Sequence, residues 1–544
     1  MTIGSRILGA VARLPAPQTT AVSVERDIET KMADGVVLLA DRWYPTELRG
    51  AAKGLPVVLL RSPYGRRQIG IVGRLFAERG YQVVIQSCRG TFGSGGEWVP
   101  FRHEREDGTA TLDWLTAQPW FGGATATFGP SYLGLTQWAV AADAPEHVLA
   151  MAPSVTASNF RDAVVYPGDA FALETTLSWV HQVEHQELRP LGVLRAMIRS
   201  RRELRPAYAT LPLSDADRQV VGHHVEFFQD WLAHEAPGDP WWDDVDFRGA
   251  VGNAPASSLL GGWYDIFLPW QVEEYEMMAR AGRPARLTIG PWSHTSPGGL
   301  AAMLRDGLEW FDTYLRDRPS ARSQPVRLFV MGSRRWIDVP EWPPPADSQR
   351  WHLHAHGRLD PALPIDSPPD TYRYDPADPT PGVGGASLDR KNAGPKDQRD
   401  REARRDVLTY TSEPLTNELT VIGPLVAELY LRSSADFTDF VIRLCDVSPR
   451  GKSTNLSDGV VRLRPDAITK EGDASFRLQI SMWPTANTFR RGHRIRLQVS
   501  SGAHPHFARN TGSGDPLLTA ATLSPADHEV FHDPDRPSNI QLPV

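Results

Sequence analysis

The sequence predicts an α/β domain with a helical insertion, followed by an all-β domain. From about residue 22 to 154, and again from 251 to 325, short apolar runs alternate with amphipathic segments, as expected of buried parallel strands that are connected by helices. Between 155 and 250 the strand pattern disappears. From 326 to 544, alternating segments rich in β-branched residues are separated by turn residues, which indicates antiparallel strands.

The predicted elements of the α/β domain follow one another as strand, helix, strand, helix. Residues 55–63 and 81–90 are apolar runs, and the helix-like "IGIVGRLFAERG" lies between them. A helix "EDGTATLDWLTAQPW", a strand "ATATFG" and a helix "SYLGLTQWAVAA" come next. The strands 256–265 and 285–294 restore this order after the insertion. Such an order implies a mostly parallel sheet with right-handed crossovers.

The insertion and the C-terminal part differ in kind from this domain. Residues 155–250 contain amphipathic stretches such as "ETTLSWVHQVEHQEL" and "HHVEFFQDWLAH", which predict a helical cap. Eleven prolines between Pro340 and Pro381 exclude long helices there. Six strand-like segments, from "VLTYTS" to "HRIRLQVSS", follow these prolines. We therefore expect an all-β sandwich over 326–544.

Composition and charge exclude several classes of protein. The 544 residues are 41% hydrophobic and 23% charged, with a net charge of −7, so a nucleic-acid partner is not expected. Cys88 and Cys445 fall in different predicted domains, which argues against a disulfide. No apolar run approaches the roughly 18 residues of a membrane span, and the N-terminus lacks a signal-peptide core. These features predict a cytoplasmic protein without a membrane partner, and they leave a homodimer open.

The stretch "TFGPSYLG" (127–134) predicts a nucleophile. It lies between a small-residue strand and a helix, which is the setting of the G-x-S-x-G elbow of α/β-hydrolases. Gly129 and Ser131 match that signature, but Leu133 holds the place of its second glycine, which comes one residue later at Gly134. An ordinary helix-capping serine would also fit this pattern.

Two downstream residues supply the partners that Ser131 needs. Asp265 follows the predicted strand "SSLLGGWY", and His294 follows "ARLTIGPWS". The order Ser, acid, His, each at a strand end, is that of the α/β-hydrolase triad. His294 would act as the general base, and Asp265 would fix its tautomer.

A tetrahedral intermediate also needs hydrogen-bond donors for its oxyanion. The backbone N–H of Tyr132, the residue after the nucleophile, is expected to be one of them. Tyr64, in the loop "RSPYGR" after the first buried strand, could offer its phenolic O–H as the second. On pattern alone, Tyr64 could equally be an ordinary loop aromatic.

Six segments of the chain form a recognisable set: "RSPYGR", "GYQVVIQSCRG", "GPSYLG", "GGWYDIF", "GPWSH" and "FRRGHRIRLQVSS". Together they resemble the CocE/NonD hydrolases, cocaine-esterase-like bacterial enzymes that are related to the X-Pro dipeptidyl-peptidases of family S15. The resemblance spans residues 22–544, and the family's elbow is G-x-S-Y-x-G. By position it implies Ser131 as nucleophile, Asp265 as acid and His294 as base, with Tyr64 in the oxyanion hole.

The resemblance also implies an α/β-hydrolase fold with a helical cap and a C-terminal jelly roll of the galactose-binding type. It places substrate-pocket positions at Trp179 and Phe267, and at Val165 or Tyr166, where cocaine esterase has a tryptophan. Trp179 would serve equally well in the cap core. A second departure is Ser87 in "SCRG", where the family often has an acidic residue. These differences put cocaine in doubt as a substrate, but not ester hydrolysis.

The sequence therefore predicts a metal-free, cofactor-free serine hydrolase that acts on a small-molecule ester or short acyl substrate. The paired His223 and His224 lie in a helical stretch without nearby cysteine or carboxylate ligands, and His352, His354 and His356 are interpreted as the solvated face of a strand, so neither set is expected to bind a metal. An X-Pro dipeptidyl-peptidase stays open, because the cap offers Asp162, Asp169 and Glu174 to hold an amino terminus. An acyltransferase, or a binding protein that acts through a carbohydrate-type sandwich, are the further alternatives.

Overall fold

A computed structural model describes residues 2–48 and 54–544, and the chain forms two compact units. The first comprises the residues up to Phe160, Trp241–Gly262 and Trp270–Arg327. The second comprises Arg161–Pro240, Trp263–Pro269 and Leu328–Val544. The predicted helical segment and the predicted all-β segment thus fall in one unit, and their division into separate domains stays a prediction.

From residue 57 onward the elements of the α/β domain follow the predicted alternation of strand and helix, whereas residues 22–45 form two consecutive strands. Up to Ser154 they are α1 (Ile3–Val11), β1 (Val22–Lys31), β2 (Val37–Pro45), β3 (Val57–Ser62), α2 (Gly70–Ala77), β4 (Gln82–Ser87), α3 (Glu104–Thr116), β5 (Thr125–Pro130), α4 (Tyr132–Ala141) and β6 (Val148–Ser154). The next are α5 (Leu173–His185), α6 (Pro190–Ala207), α7 (Ala216–Val221) and α8 (Glu226–Ala233). They are followed by β7 (Ala256–Tyr264), α9 (Leu268–Arg280), β8 (Ala285–Ser293) and α10 (Pro297–Arg316).

The sheet of the first unit is mostly parallel. Eight strands of this ten-stranded sheet, β1 to β8, lie in the order β1-β2-β4-β3-β5-β6-β7-β8. Strands β4, β3, β5, β6 and β7 pair in parallel, while β1 and β2 form an antiparallel edge. This arrangement, with the helices between the strands, confirms the predicted α/β fold. Ser131 directly follows β5, Asp265 follows β7 and His294 follows β8.

The core of this unit explains why β3 and β4 are apolar throughout. Every residue of both strands is buried, because helices cover the sheet. Leu112 and Leu115 of α3 and Val140 of α4 pack against Leu59 and Val84 in one cluster. Burying each such side chain contributes about 1.5–3 kcal/mol.

The C-terminal part of the second unit is rich in β-strands, as predicted. It begins with β9 (Val326–Val330) and β10 (Arg335–Val339) and contains the short helix α11 (Arg399–Glu402). The further strands are β11 (Ser348–His354), β12 (Arg358–Asp360), β13 (Asp370–Tyr374), β14 (Val407–Thr411), β15 (Leu419–Ser433), β16 (Thr438–Val447), β17 (Ser453–Leu463), β18 (Phe476–Phe489), β19 (Arg494–Ser500), β20 (Ala526–Phe531) and β21 (Asn539–Pro543). These eleven strands, β11 to β21, form one sheet in which β12 and β14 pair in parallel and the other described pairs are antiparallel. A jelly-roll topology stays a prediction.

The described residues of 161–240 contain helices and no strand, in agreement with the pattern there. Within 2–48 and 54–544, no helix combines the length and the apolar character needed to cross a bilayer. Cys88 and Cys445 are both buried free thiols.

The interpretation of two histidines as solvated is wrong. His352 and His354 lie on β11 with only 6% and 5% of their surfaces exposed. Burial lowers the pKa of both imidazoles, so they are neutral members of the β-rich core. Leu353, which lies between them, is buried as well, so both faces of the strand are covered at this end, and His356 lies beyond the strand in a turn.

Glu274, on α9, is a buried carboxyl group with a measurable consequence for stability. Burial raises its pKa to about 8, although the Ser158 backbone N–H donates a hydrogen bond to its Oε1. Between pH 4.5 and 8 the folded state therefore keeps a proton that the unfolded state has released. The free energy of unfolding should fall as pH rises through this window, by about 3–5 kcal/mol.

The substitution Glu274→Gln should abolish that contribution, because an amide does not titrate. Urea unfolding of both proteins between pH 5 and 8 measures it: the stability of the variant relative to the wild type should increase with pH. A difference in the free energy of unfolding that does not change with pH would contradict the raised pKa of Glu274.

Candidate active site

Ser131 has a backbone conformation that an ordinary helix cap does not have. Its φ and ψ are 57° and −124°, in a region that costs a non-glycine residue about 1–3 kcal/mol. Its N–H donates to the Ser154 carbonyl at 3.0 Å, and its own carbonyl accepts from the Thr156 hydroxyl at 2.8 Å. Its side chain makes no capping hydrogen bond to α4. Strand β6 and the residues after it thus hold a strained turn that directs the hydroxyl away from the helix.

The two glycines around Ser131 are required by close packing. A Cβ atom at Gly129, where φ is 147°, would lie 2.4 Å from the Cβ of Leu133. A Cβ atom at Gly134 would lie 2.4 Å from the Cγ2 of Thr156. The displaced second glycine is therefore placed where α4 meets Thr156, and position 133 has room for leucine.

His294 reaches Ser131 directly. Its Nε2 lies 3.2 Å from the Ser131 Oγ, within hydrogen-bonding distance. A hydrogen bond spans the loop that carries His294, since the Ser293 N–H donates to the Ser296 Oγ at 2.9 Å. The strand before the loop is closely packed, because a Cβ at Gly290 would lie 2.5 Å from the Trp292 ring. The pair has the geometry of a nucleophile and its general base.

The side chain of Tyr132 anchors the first turn of α4. Its hydroxyl donates to Glu104 Oε1 at 2.7 Å and accepts from the Trp98 indole N–H at 3.2 Å. Its ring stacks on Phe101 with centroids 4.0 Å apart. Burial and the charge of Glu104 raise the pKa of the Tyr132 phenol, so it remains a donor. Tyr132 is the first residue of α4 and directly follows Ser131, and a role of its backbone N–H in the oxyanion hole stays a prediction.

The network around Glu104 was not predicted from the sequence. Glu104 is 4% exposed and forms a 2.8 Å ion pair with the buried Arg61. In "FRHERED" its carboxylate is indistinguishable from those of a charged helix start. The one indication in the sequence was that Glu104 and Arg61 would both have to be buried, and therefore paired, if α3 packs on β3.

Tyr64 lies beside Tyr132. Their ring centroids are 6.2 Å apart with the planes at 76°, and the Tyr64 N–H donates to the Ser62 hydroxyl at 3.1 Å. Ser131, His294, Tyr132 and Tyr64 thus all belong to the first unit.

Asp265 is fully buried and belongs to the second unit. Its Oδ1 accepts from the Phe267 N–H at 2.9 Å, and its carbonyl accepts from the Trp483 indole N–H at 3.3 Å. These bonds fix the turn after β7. Its assignment as the acid of the triad rests on its place in the chain and stays a proposal.

A cavity of about 50 Å³ lies within the second unit. Apolar residues form most of its wall, and Glu174 and Asp458 contribute carboxylates. Tyr264, which is 5% exposed, also lines it. The aromatic members of the wall are Trp263, Tyr264, Trp483, His506 and Phe507.

The four predicted pocket residues do not line this cavity. Val165 is fully buried, and the Tyr166 hydroxyl donates to the Trp231 carbonyl at 2.6 Å. Trp179 stacks on Trp231 with centroids 5.8 Å apart, and Phe267 is 6% exposed. Tyr166 and Trp179 thus contribute to the packing of the helical segment, and a substrate-pocket role for any of the four stays a prediction.

No group of three or more metal-ligating side chains occurs among residues 2–48 and 54–544. The exposed His223 and His224 instead contact single carboxylates, Glu184 and Asp217, each at 3.1 Å.

Comparison with known proteins assigns the chain to a family. Residues 34–296 match the X-Pro dipeptidyl-peptidase (S15 family) model, and residues 320–541 match the X-Pro dipeptidyl-peptidase C-terminal non-catalytic domain. The chain is 32% identical to the cocaine esterase of Rhodococcus sp. (strain MB1 Bresler), over 96% of this chain and 98% of that protein. It belongs to the cocaine esterase-like branch of the S15 family. The protein is therefore a serine ester hydrolase.

Two solved structures share the fold of this S15-family chain. An α-amino acid ester hydrolase has a TM-score of 0.81 and 23% identity, covering 98% of both chains. An aminopeptidase from a marine sediment archaeon of the Thaumarchaeota has a TM-score of 0.79 and 21% identity, covering 97% of this chain and 98% of the other. Membership of the family decides against a non-enzymatic binding protein.

Proposed function

We propose that this enzyme cleaves small carboxylic esters through an acyl-enzyme on Ser131. The observation that carries the proposal is the 3.2 Å approach of His294 Nε2 to the Oγ of a serine held in a strained turn. In the proposed mechanism Asp265 fixes the tautomer of His294. The Tyr132 N–H and the Tyr64 O–H would stabilise the oxyanion.

The reaction proceeds in two balanced halves. Ser131 Oγ attacks the ester carbonyl carbon while its proton passes to His294 Nε2. The tetrahedral intermediate then collapses, the C–O bond to the alcohol breaks, and His294 returns the proton to the departing alkoxide. Water repeats the sequence on the acyl-enzyme, with His294 again as base, and releases the carboxylic acid and the free Ser131.

Labelling with a fluorophosphonate tests the nucleophile, and rates on two substrate series test the reaction class. We expect the wild type to react with the probe and to hydrolyse p-nitrophenyl esters faster than Xaa-Pro anilides. A preference for the anilides would show that the enzyme is a dipeptidyl-peptidase rather than an esterase. If the acyl group were transferred faster to an added alcohol than to water, the enzyme would be an acyltransferase.

One observation favours the dipeptidyl-peptidase alternative. Of the three carboxylates that the helical segment offers for a substrate amino group, Asp162 and Asp169 bind Arg161 at 2.8 and 3.1 Å. Glu174 instead lines the cavity and accepts a hydrogen bond from the Ser387 hydroxyl at 2.7 Å. If a substrate amine binds there, Glu174→Gln should reduce kcat/KM for aminoacyl substrates and leave that for their desamino analogues unchanged.

Tyr64→Phe tests the second oxyanion donor. The variant removes the hydroxyl and keeps the ring, so its packing against Tyr132 should persist. Loss of one donor typically costs about 10²–10³ in kcat. We expect that loss with KM and Tm near their wild-type values, because the interaction forms only in the transition state.

Steady-state kinetics on a p-nitrophenyl ester, together with thermal unfolding, measure both effects. Tyr44→Phe, a buried tyrosine of β2, is the matched control and should keep full activity. If Tyr64→Phe keeps more than about a third of kcat, the second donor is a backbone N–H, and Gly65 is the nearest candidate in the chain.

A further inference from the structure

Helix α6 exposes an apolar stripe. Leu191, Leu194 and Ile198 are 69%, 52% and 74% exposed, and their spacing of three and four residues places them on one face of the helix. Met197, 68% exposed, lies at the edge of this stripe. Scattered apolar side chains are normal on a protein surface, but a continuous row of them is not.

The opposite face of α6 is the one that packs on the protein. Ala196, Leu204 and Ala207 are buried, and α6 contacts α5 and α7. On the same face, Glu203 lies 2.9 Å from the Nε2 of His181. The stripe therefore lies on the face that the helical segment leaves largely exposed, and the helix has two apolar faces of which one is covered.

Arginines flank the exposed stripe. Residues 189–205 contain six arginines and one acidic residue, Glu203, in a chain whose net charge is −7. On a helical projection Arg195, Arg199 and Arg202 lie along one side of the stripe, and Arg201 and Arg205 lie at its other side and its end. Arg201 is paired with Asp389 at 2.9 Å. The others are exposed, and no ion pair engages them within the described residues; these are Arg189, Arg195, Arg199, Arg202 and Arg205.

We propose that α6 binds the surface of an anionic lipid bilayer. An exposed apolar stripe between rows of arginines has the chemistry of a helix that lies in the membrane interface, with its apolar side chains inserted and its guanidinium groups at the headgroups. The prediction of no membrane partner rested on the absence of a spanning segment, and interfacial binding needs none. A second copy of the chain fits less well, since a two-fold contact through α6 would bring the same arginines together.

Co-sedimentation with vesicles tests this surface on the full chain. We expect the wild type to bind vesicles of phosphatidylcholine and phosphatidylglycerol in equal parts, and not phosphatidylcholine alone, with binding that weakens as salt is added. The triple variant Arg195→Gln, Arg199→Gln, Arg202→Gln should lower the partition coefficient about fivefold per arginine, or about 100-fold in all. Leu191→Asn with Leu194→Asn and Ile198→Asn should abolish binding to the anionic vesicles. All variants should keep wild-type hydrolysis of a soluble p-nitrophenyl ester, which also reports correct folding.

Two matched controls distinguish an effect of the stripe from an effect of net charge or of exposed apolar residues in general. Arg280→Gln with Arg373→Gln and Arg399→Gln changes net charge equally at side chains that are 70%, 62% and 60% exposed. Leu363→Asn with Ile365→Asn removes apolar residues that are 70% and 78% exposed elsewhere. Both should bind as the wild type does. The proposal is overturned if the wild type does not bind anionic vesicles, if neutral vesicles bind equally, or if the controls lose as much. It is also overturned if the Asn triple variant turns a wild-type dimer into a monomer without affecting vesicle binding.

Discussion

Ser131→Ala should lose about 10⁶ of kcat on a p-nitrophenyl ester and all labelling by a fluorophosphonate. The size follows from serine hydrolases in which removal of the nucleophile leaves only substrate binding and the oxyanion donors. The turn at Ser131 is held through its backbone, by hydrogen bonds with Ser154 and Thr156, so alanine should leave the fold intact. Active-site titration, kinetics and circular dichroism on the purified variant measure the three quantities.

A matched control and a double variant sharpen this test. Ser320→Ala, at an exposed serine of the first unit, should be indistinguishable from the wild type. Ser131→Ala combined with His294→Ala should be no slower than either single variant, because nucleophile and base act as one unit. Labelling that survives Ser131→Ala would show that another serine is the nucleophile.

Asp265→Asn should lower kcat by about 10⁴. The amide keeps the size of the side chain, and its oxygen can still accept from the Phe267 N–H, so the turn after β7 should be preserved. The proposed loss comes from the imidazole of His294, which would be held in the wrong tautomer for accepting the serine proton. Fluorophosphonate labelling should slow in parallel with ester hydrolysis.

Asp317→Asn is the control for this substitution, since Asp317 follows α10 with φ of 53°, a conformation that asparagine tolerates. It should leave kcat unchanged. A loss of less than about tenfold in Asp265→Asn would mean that a different group orients His294.

The order and type of the elements could be predicted because periodicity is a local property. Strands β3 and β4, buried along their whole length, have the continuous apolar runs that parallel strands require. The burial of a strand's faces is harder to predict, since an alternation of polar and apolar residues does not show whether one face or both are covered. His352 and His354 illustrate this, because Leu353 between them is buried too and both faces of β11 are covered there.

The site was predictable where chemistry restricts the residue type, and less so where it depends on packing. Ser131 and His294 were found from motif and chain order, and the structure brings them to 3.2 Å. The anchoring of Tyr132 by Glu104 depends on how α3 meets β3, which no local pattern encodes. The pocket positions Tyr166 and Trp179 came from resemblance alone, and their side chains bond to or stack on Trp231.

The close packing around the elbow has a consequence for how its residues vary among homologues. The space that Gly129 leaves open is occupied by Leu133, and the space beside Gly134 is occupied by Thr156. Each glycine is thus one half of a pair that shares a fixed volume, so substitutions should be correlated between positions 129 and 133, and between 134 and 156. Two separate pairs of positions, rather than one five-residue motif, would then describe the elbow. A sequence search that requires G-x-S-x-G would miss every homologue in which the second glycine comes one residue later.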